Sequence, residues 1–323
     1  MTSASDSADP VSGTHGYRYT ALHQLQGDTS GITYTASSAY DLQGITTTAA
    51  GAITSSVLGY DPAHELTSLR TLSGTTPTRA LTLAYNRDGD RVAVTDTVSG
   101  ATTGYRYDQA DRLIGVTGGV TTSAYSYDGD GLRQGKTVNG AATAYTWDTT
   151  QGLPTLLQEQ TGATTTRYIA GPDGLPLEQV DGAGNALYSY RDQLGSTREL
   201  GDGSGRIAAT YRYDAYGNPL AKTSSATTLF GYAGAYTDGE TSLQYLQARY
   251  YDPQTAQFLT RDPRWPRRRA SPTPTPATTR STPPTPRAKP VRALDRWGRT
   301  YPVAAWGPSD ASSTWGRRKA ARA

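Results

Sequence analysis

An aromatic residue placed just ahead of a turn recurs along most of this chain, and no other feature constrains its fold as strongly. The positions are Tyr19, Tyr40, Tyr60, Tyr85, Tyr107, Tyr127, Trp147, Tyr168, Tyr190, Tyr213, Tyr232 and Tyr251, a span of 232 residues in eleven steps, or about 21 residues per step. A fixed period in this range belongs to stacked supersecondary units, each too small to bury a core by itself. In the clearest units, Tyr105-Arg106-Tyr107-Asp108 and Tyr125-Ser126-Tyr127-Asp128, the alternating tyrosines fall on one face of a strand. Asp and Gly then supply the turn, Asp by bonding its own backbone and Gly by accepting positive φ. Thr- and Val-rich pieces such as Arg91–Thr95 suit a pleated surface and carry the chain back.

No window holds apolar residues at i, i+3, i+4 and i+7 for three turns, and Gly recurs too often for helices. The expected fold is all-β, an antiparallel spiral of hairpin repeats. Tyrosine predominates over aliphatic residues, so the sheet is expected to present a wall with one wet face and a large exposed Tyr/Thr surface.

Composition divides the chain at Pro263/Arg264. Arg264–Ala323 holds 14 Lys+Arg and 2 Asp+Glu, net +12, which leaves 31 − 14 = 17 basic and 28 − 2 = 26 acidic residues before it, net −9. That tail also holds four of the five Trp but one of the 23 Tyr. With no Cys, disulfides and thiolate metal sites are excluded, and His15, His23 and His64 have no metal-ligand spacing. MTSASDSADP lacks a basic, apolar leader, and no stretch approaches the ~18 apolar residues of a membrane helix, so neither an ordinary signal peptide nor a membrane span is expected and the localisation stays open.

The densest stretch is Tyr188–Pro263. It contains Asp192-Gln193-Leu194-Gly195-Ser196-Thr197-Arg198, Tyr211-Arg212-Tyr213-Asp214-Ala215-Tyr216-Gly217-Asn218, Arg249-Tyr250-Tyr251-Asp252-Pro253 and Phe258-Leu259-Thr260-Arg261-Asp262-Pro263. These pieces closely resemble the Rhs (rearrangement hotspot) repeat-associated core, and the weaker repeats extend a YD-repeat resemblance back to Tyr17. The resemblance implies a β-strand spiral forming a hollow cocoon, secreted or on the cell surface. Its implied partners are an encapsulated C-terminal toxin and its delivery machinery, and its core would form a plug and an aspartyl autoprotease. It marks Asp192, Gly195, Ser196, Arg198, Tyr213, Asp214, Gly217, Arg249, Tyr250, Tyr251, Asp252 and Pro253 as core-motif residues, and Asp262 beside Arg261 as the first protease carboxylate. The chain departs from the family pattern at Ser242, for a usual Gly, at Gln247, for a usual Arg, and at Ala256-Gln257, for a usual Gly-Arg.

Aspartyl chemistry needs two carboxyls, one ionised and one protonated. Arg264–Pro274 offers none, so the expectation is a non-enzyme in which Asp262 and Asp252 are turn residues before proline. Asp192 and Arg198 are read as a structural clamp. The Asp88–Asp90 and Asp128–Gly131 clusters lack the remaining ligands of a calcium loop and are read as turns, and no metal or cofactor is expected.

The expected organisation is a disordered 1–16, YD/RHS repeats over 17–187, the repeat-associated core over 188–263 and a disordered basic tail over 264–323. Through permitted codons, Pro272–Arg287 read two nucleotides later gives YAYAGDNPVNATDPTG, the type of segment an Rhs core carries after its Asp-Pro. The tail is therefore expected to be out-of-frame translation with no specific nucleic-acid partner. The leading function is a structural shell fragment lacking its toxin. The alternatives are a carbohydrate-binding surface module and a residual autoprotease.

Overall fold

The computed structural model describes residues 2–3, 16–21, 24–28, 31–38, 41–49, 52–150, 153–262, 292–294 and 300–302. Its main body is one 21-stranded antiparallel sheet in which every strand, from Thr2–Ser3 to Pro219–Thr223, pairs with its neighbour in sequence. Among the described residues the only helix is the 3-10 turn Tyr232–Gly234. The all-β expectation holds, and the sheet is open: no pairing joins its first strand to its last among these residues.

One local device repeats down the sheet. Just before each turn the register slips by a β-bulge, as between Arg106/Tyr107, Ser126/Tyr127 and Thr146/Trp147. The first turn residue then closes the loop with its own side chain. Asp108 Oδ1 accepts the amides of Ala110 and Arg112, and Asp128 Oδ1 those of Asp130 and Leu132. The fourth turn residue takes positive φ, and is usually Gly (Gly89, Gly131, Gly195, Gly217) but His64 or Asp111 in two repeats. On the opposite rim one of the two-residue hairpin turns is Asn139-Gly140, with φ 47 and 89, the geometry that matches strand twist.

In six repeats of the wall the residue that follows the turn points into the core. In successive repeats it is Leu25, Leu42, Leu66, Arg91, Leu113 and Arg133, all buried. Its carbonyl accepts a hydrogen bond from the aromatic residue that ends the next repeat: Tyr60 to Leu42, Tyr85 to Leu66, Tyr107 to Arg91, and Tyr127 to Leu113. Trp147 gives Arg133 the same bond through its indole N–H at 2.8 Å, so it fills a tyrosine position by chemistry as well as by spacing. Each aromatic therefore fastens its repeat to the one before.

The wet-walled sheet is corrected by this geometry. Tyr34, Tyr125, Tyr145 and Tyr168 are buried, because residues 229–262 fold back and cover the inner face. That segment forms a second, four-stranded sheet of Tyr236–Thr237, Gln244–Tyr245, Tyr250–Asp252 and Gln257–Phe258. Tyr232 and Tyr251 thus belong to the covering segment, whereas residues 188–223 continue the wall. The sheet curls far enough for Tyr34, near its start, to meet Tyr216 edge-on at 5.4 Å, and the early leucines share a core with Ala215, Tyr216 and Ala256. The expected disordered segments lie outside the described residues, apart from Thr2–Ser3 and Gly16, which pair at the start of the sheet, and a small hairpin of Arg292–Leu294 with Thr300–Pro302. Among the described residues no helix is long and apolar enough to cross a membrane.

Candidate functional site

The inward position after the turn is leucine in four of the six repeats above and arginine in two. A fully buried guanidinium requires a counter-charge and hydrogen-bond acceptors nearby. Both are supplied from more than a hundred residues away. Arg91 Nη1 lies 2.7 Å from Asp252 Oδ2, and its Nη2 donates to Thr255 Oγ1 at 2.9 Å. Arg133 Nη1 lies 2.6 Å from Asp238 Oδ2 and 3.1 Å from Tyr250 Oη. Lys136 Nζ bridges Asp238 Oδ1 at 2.9 Å and Glu240 Oε2 at 3.0 Å.

Four tyrosine rings surround Arg133: Tyr245 at 4.5 Å from its guanidinium carbon, Tyr145 at 4.6 Å, Tyr236 at 4.9 Å and Tyr125 at 5.6 Å. Their electron-rich faces add to the attraction of Asp238. Desolvation opposes the charge on Arg133, but Asp238 and the phenols outweigh it and hold its pKa well above the ordinary value. Beside this cage Glu159 accepts short bonds from Tyr168 and Tyr236, both 2.6 Å, and Tyr236 contacts the Tyr145 hydroxyl at 3.2 Å. Burial drives both donor phenols upward, so they stay protonated and donate.

The core-motif residues largely lie on this wall-to-plug seam. Asp192 caps its turn by accepting the Leu194 and Ser196 amides, and Ser196 Oγ accepts from Ala233 N–H in the plug. Burial raises the Asp192 carboxyl, while those amides and Arg198 oppose the shift. A side chain on Gly195 would strike Leu175, and one on Gly217 would strike the Tyr232 ring; both glycines also have positive φ. Tyr213 stacks on Tyr211 and meets Tyr232 edge-on. Asp214 caps its turn and holds Asn218, whose amide donates to the Pro253 carbonyl. Tyr251 donates to Tyr216 O, and Asp252 meets Arg91.

The pair marked for proteolysis sits at the end of the plug, where Asp262 meets a cation of the plug itself and Arg261 an acid of the wall. Asp262 Oδ2 is 3.9 Å from Arg249 Nη2, and the Arg249 guanidinium lies 3.7 Å over the Phe258 ring. Arg261 reaches Glu65 Oε1 at 2.5 Å, above the Gly89 turn. At that rim the carboxylates of Asp88, Asp90 and Asp111 come within 4.8 Å of one another. Each belongs to a repeat turn, and Asp90 is itself held by Asn86. His64 is a surface residue bonded to Asp41 at 2.8 Å.

The sequence reading had singled out none of Arg91, Arg133, Lys136, Glu159, Asp238, Glu240 and Tyr245. Two of them did carry a signal: an arginine in a repeat frame whose equivalent positions are leucine.

Comparison with known proteins agrees with this architecture. Residues 153–279 match the teneurin YD-shell family and residues 85–123 the RHS repeat. The tRNA3(Ser)-specific nuclease WapA of Bacillus spizizenii is 38% identical over 103 residues, 31% of this chain and 4% of that protein. Double-stranded DNA deaminase toxin A of Burkholderia cenocepacia is 27% identical over 131 residues, 33% of this chain and 9% of that protein. The chain thus spans less than a tenth of the length of these relatives. The crystal structure of TcdB2-TccC3-Cdc42 superposes with a TM-score of 0.53 at 17% identity, covering 77% of this chain and 16% of that one, a likeness of fold. Residues 85–123 and 153–279 therefore carry RHS and YD-shell repeat sequence.

Proposed function

We propose that the chain is a structural segment of the shell of a toxin-carrying RHS/YD-repeat protein, in which residues 229–262 plug the inner wall and carry out no chemistry. The observation that carries this reading is the pair of buried ion bridges, Arg91–Asp252 and Arg133–Asp238, that tie plug to wall. Groups committed to such bridges hold position; they are not poised to exchange protons. In an intact relative, the partners of this segment would be an encapsulated C-terminal toxin and its delivery machinery. The carboxylate of Asp262 serves here as the partner of Arg249.

Intact mass tests the non-catalytic part. Purified protein and its Asp262→Asn variant should both remain whole at 34.4 kDa. A cleaved product in the parent that disappears in the variant would restore the autoprotease.

The same proposal takes Arg264–Ala323, whose residues 264–279 still fall within the YD-shell match, as out-of-frame translation. Its support is the change of net charge from −9 over residues 1–263 to +12 over the tail, together with the Rhs-like reading that a shifted frame permits. Sequencing the gene beyond codon 263 should show that reading in the shifted frame, and a shifted frame encoding no such segment sinks the idea.

A further inference from the structure

The plug follows the wall through one short run of chain, and this is the most exposed stretch of the described residues. Pro219–Ser225 is exposed at seven consecutive positions, longer than any other exposed run among them. Its first part is the final strand of the wall, which pairs only with Ile207–Tyr213 and leaves its outer edge open. Ser224 and Ser225 follow outside any strand and make no hydrogen bond among the described residues. Ser224 also has φ 69, a strained conformation for an L-residue. The chain is pinned again only downstream, where Tyr211 Oη donates to Ala226 O at 3.0 Å and Gln179 Nε2 to Thr227 O at 2.7 Å.

Exposed segments of small polar residues are where proteolytic nicking concentrates, because a protease needs backbone that is accessible and free to extend. Thr223, Ser224 and Ser225 fit that description, and Lys222 is the only charged residue from Pro219 to Thr228. Other exposed basic residues sit on backbone that is tied down. Arg87 and Arg206 lie in turns closed by the side chains of Asn86 and Asp202. Arg70, Arg106 and Arg167 lie in strands paired on both sides.

We propose that Lys222–Thr223 is a processing bond for an endopeptidase that cuts after a basic residue, and that the cut leaves wall and plug as two chains held by their seam. Water adds across the bond: its hydroxyl joins the Lys222 carbonyl carbon, the bond to the Thr223 nitrogen breaks, and the leaving amine takes the proton. The cut spares the contacts that join the two pieces, Arg91–Asp252 at 2.7 Å, Arg133–Asp238 at 2.6 Å and Lys136–Glu240 at 3.0 Å. The site goes beyond the shell reading and does not depend on it. Trypsin, an endopeptidase of this specificity, is added sparingly to the full chain, and fragments are followed by mass and by native gel filtration. Between Gly16 and Thr260 the first cut should fall after Lys222, the two pieces should elute together, and urea should separate them. Lys222→Gln should remove that cut and Lys222→Arg should keep it. A first cut at Arg87, Arg206 or a strand arginine overturns the proposal, as does a chain left uncut in this range. Simultaneous cleavage at many basic residues, the mark of global unfolding, overturns it equally. So do an unchanged pattern in Lys222→Gln and pieces that elute apart without denaturant.

Discussion

Three plug residues that depart from the family pattern, Ser242, Gln247 and Ala256, all have positive φ, at 61, 62 and 55. An L-residue pays roughly 1–2 kcal/mol in that region, a cost glycine avoids. What else each side chain does decides the net effect of replacing it. Ser242 is exposed, so Ser242→Gly relieves strain and loses no packing. The variant should be more stable by about 0.5–1 kcal/mol in urea denaturation, after glycine's greater unfolded-state entropy is subtracted. Ala256 is 2% exposed and its methyl group packs in the core, so Ala256→Gly exchanges strain for about 0.8 kcal/mol of lost burial and should come out near neutral. Gln247 recovers part of its cost through a 2.7 Å bond from its side chain to Pro154 O. A destabilised Ser242→Gly would show that the strain argument is wrong.

Between repeats the joint is an aromatic donor on the carbonyl of an inward residue. Such a bond contributes about 1 kcal/mol net, and removing the donor leaves a half-buried carbonyl with less than its due. Tyr60→Phe deletes the bond to Leu42 O and keeps the ring. The urea midpoint should fall by the equivalent of about 1 kcal/mol, with an unchanged slope because the surface exposed on unfolding is the same. Tyr190, half exposed two residues before Asp192 and outside this ladder, is the control: Tyr190→Phe should stay within about 0.5 kcal/mol of the parent. Equal losses at both positions would remove the special role of the ladder. The final strand, Pro219–Thr223, is exposed at all five positions and leaves the sheet with an open edge. Its leading proline and Lys222 are features that discourage further pairing.

For the molecule as a whole, the wall is held to its plug by phenols and buried ions more than by aliphatic packing, and this sets its response to pH. Burial is the largest cause raising tyrosine pKa values throughout the seam, to about 12 for Tyr105 and Tyr245 and further for Tyr125 and Tyr250. These phenols keep their protons in the folded chain where an unfolded chain, with its ordinary value of 10.0, has lost them. Above that value the unfolded state binds fewer protons, so stability falls as pH rises. The contribution is fully present below pH 10 and drains away through pH 12 for Tyr105 and Tyr245, at roughly 1.4 kcal/mol per pH unit for each group. Because many phenols act together, phenolate absorbance and loss of circular dichroism should coincide in one steep alkaline transition. Gradual phenolate formation in a chain that stays folded would contradict this picture.

Much of this architecture is local, and that part was legible in the sequence. The aromatic period, the Asp that caps its own turn and the Gly with positive φ each act within a few residues, so the repeats and their all-β character follow from spacing and residue type. Tyr213 lies on that period, whereas Asp214 and Gly217 are marked by the resemblance to the Rhs core. Tertiary structure alone decided what the inner face meets. Alternation puts tyrosines on one side of a strand but does not say whether water or protein lies against them, and here residues 229–262 return to cover them. It also decided why two repeats carry arginine where others carry leucine. A buried cation is tolerable only once its counter-ion is in place, and Asp238 and Asp252 reach Arg133 and Arg91 from 105 and 161 residues away, a pairing that no local rule contains.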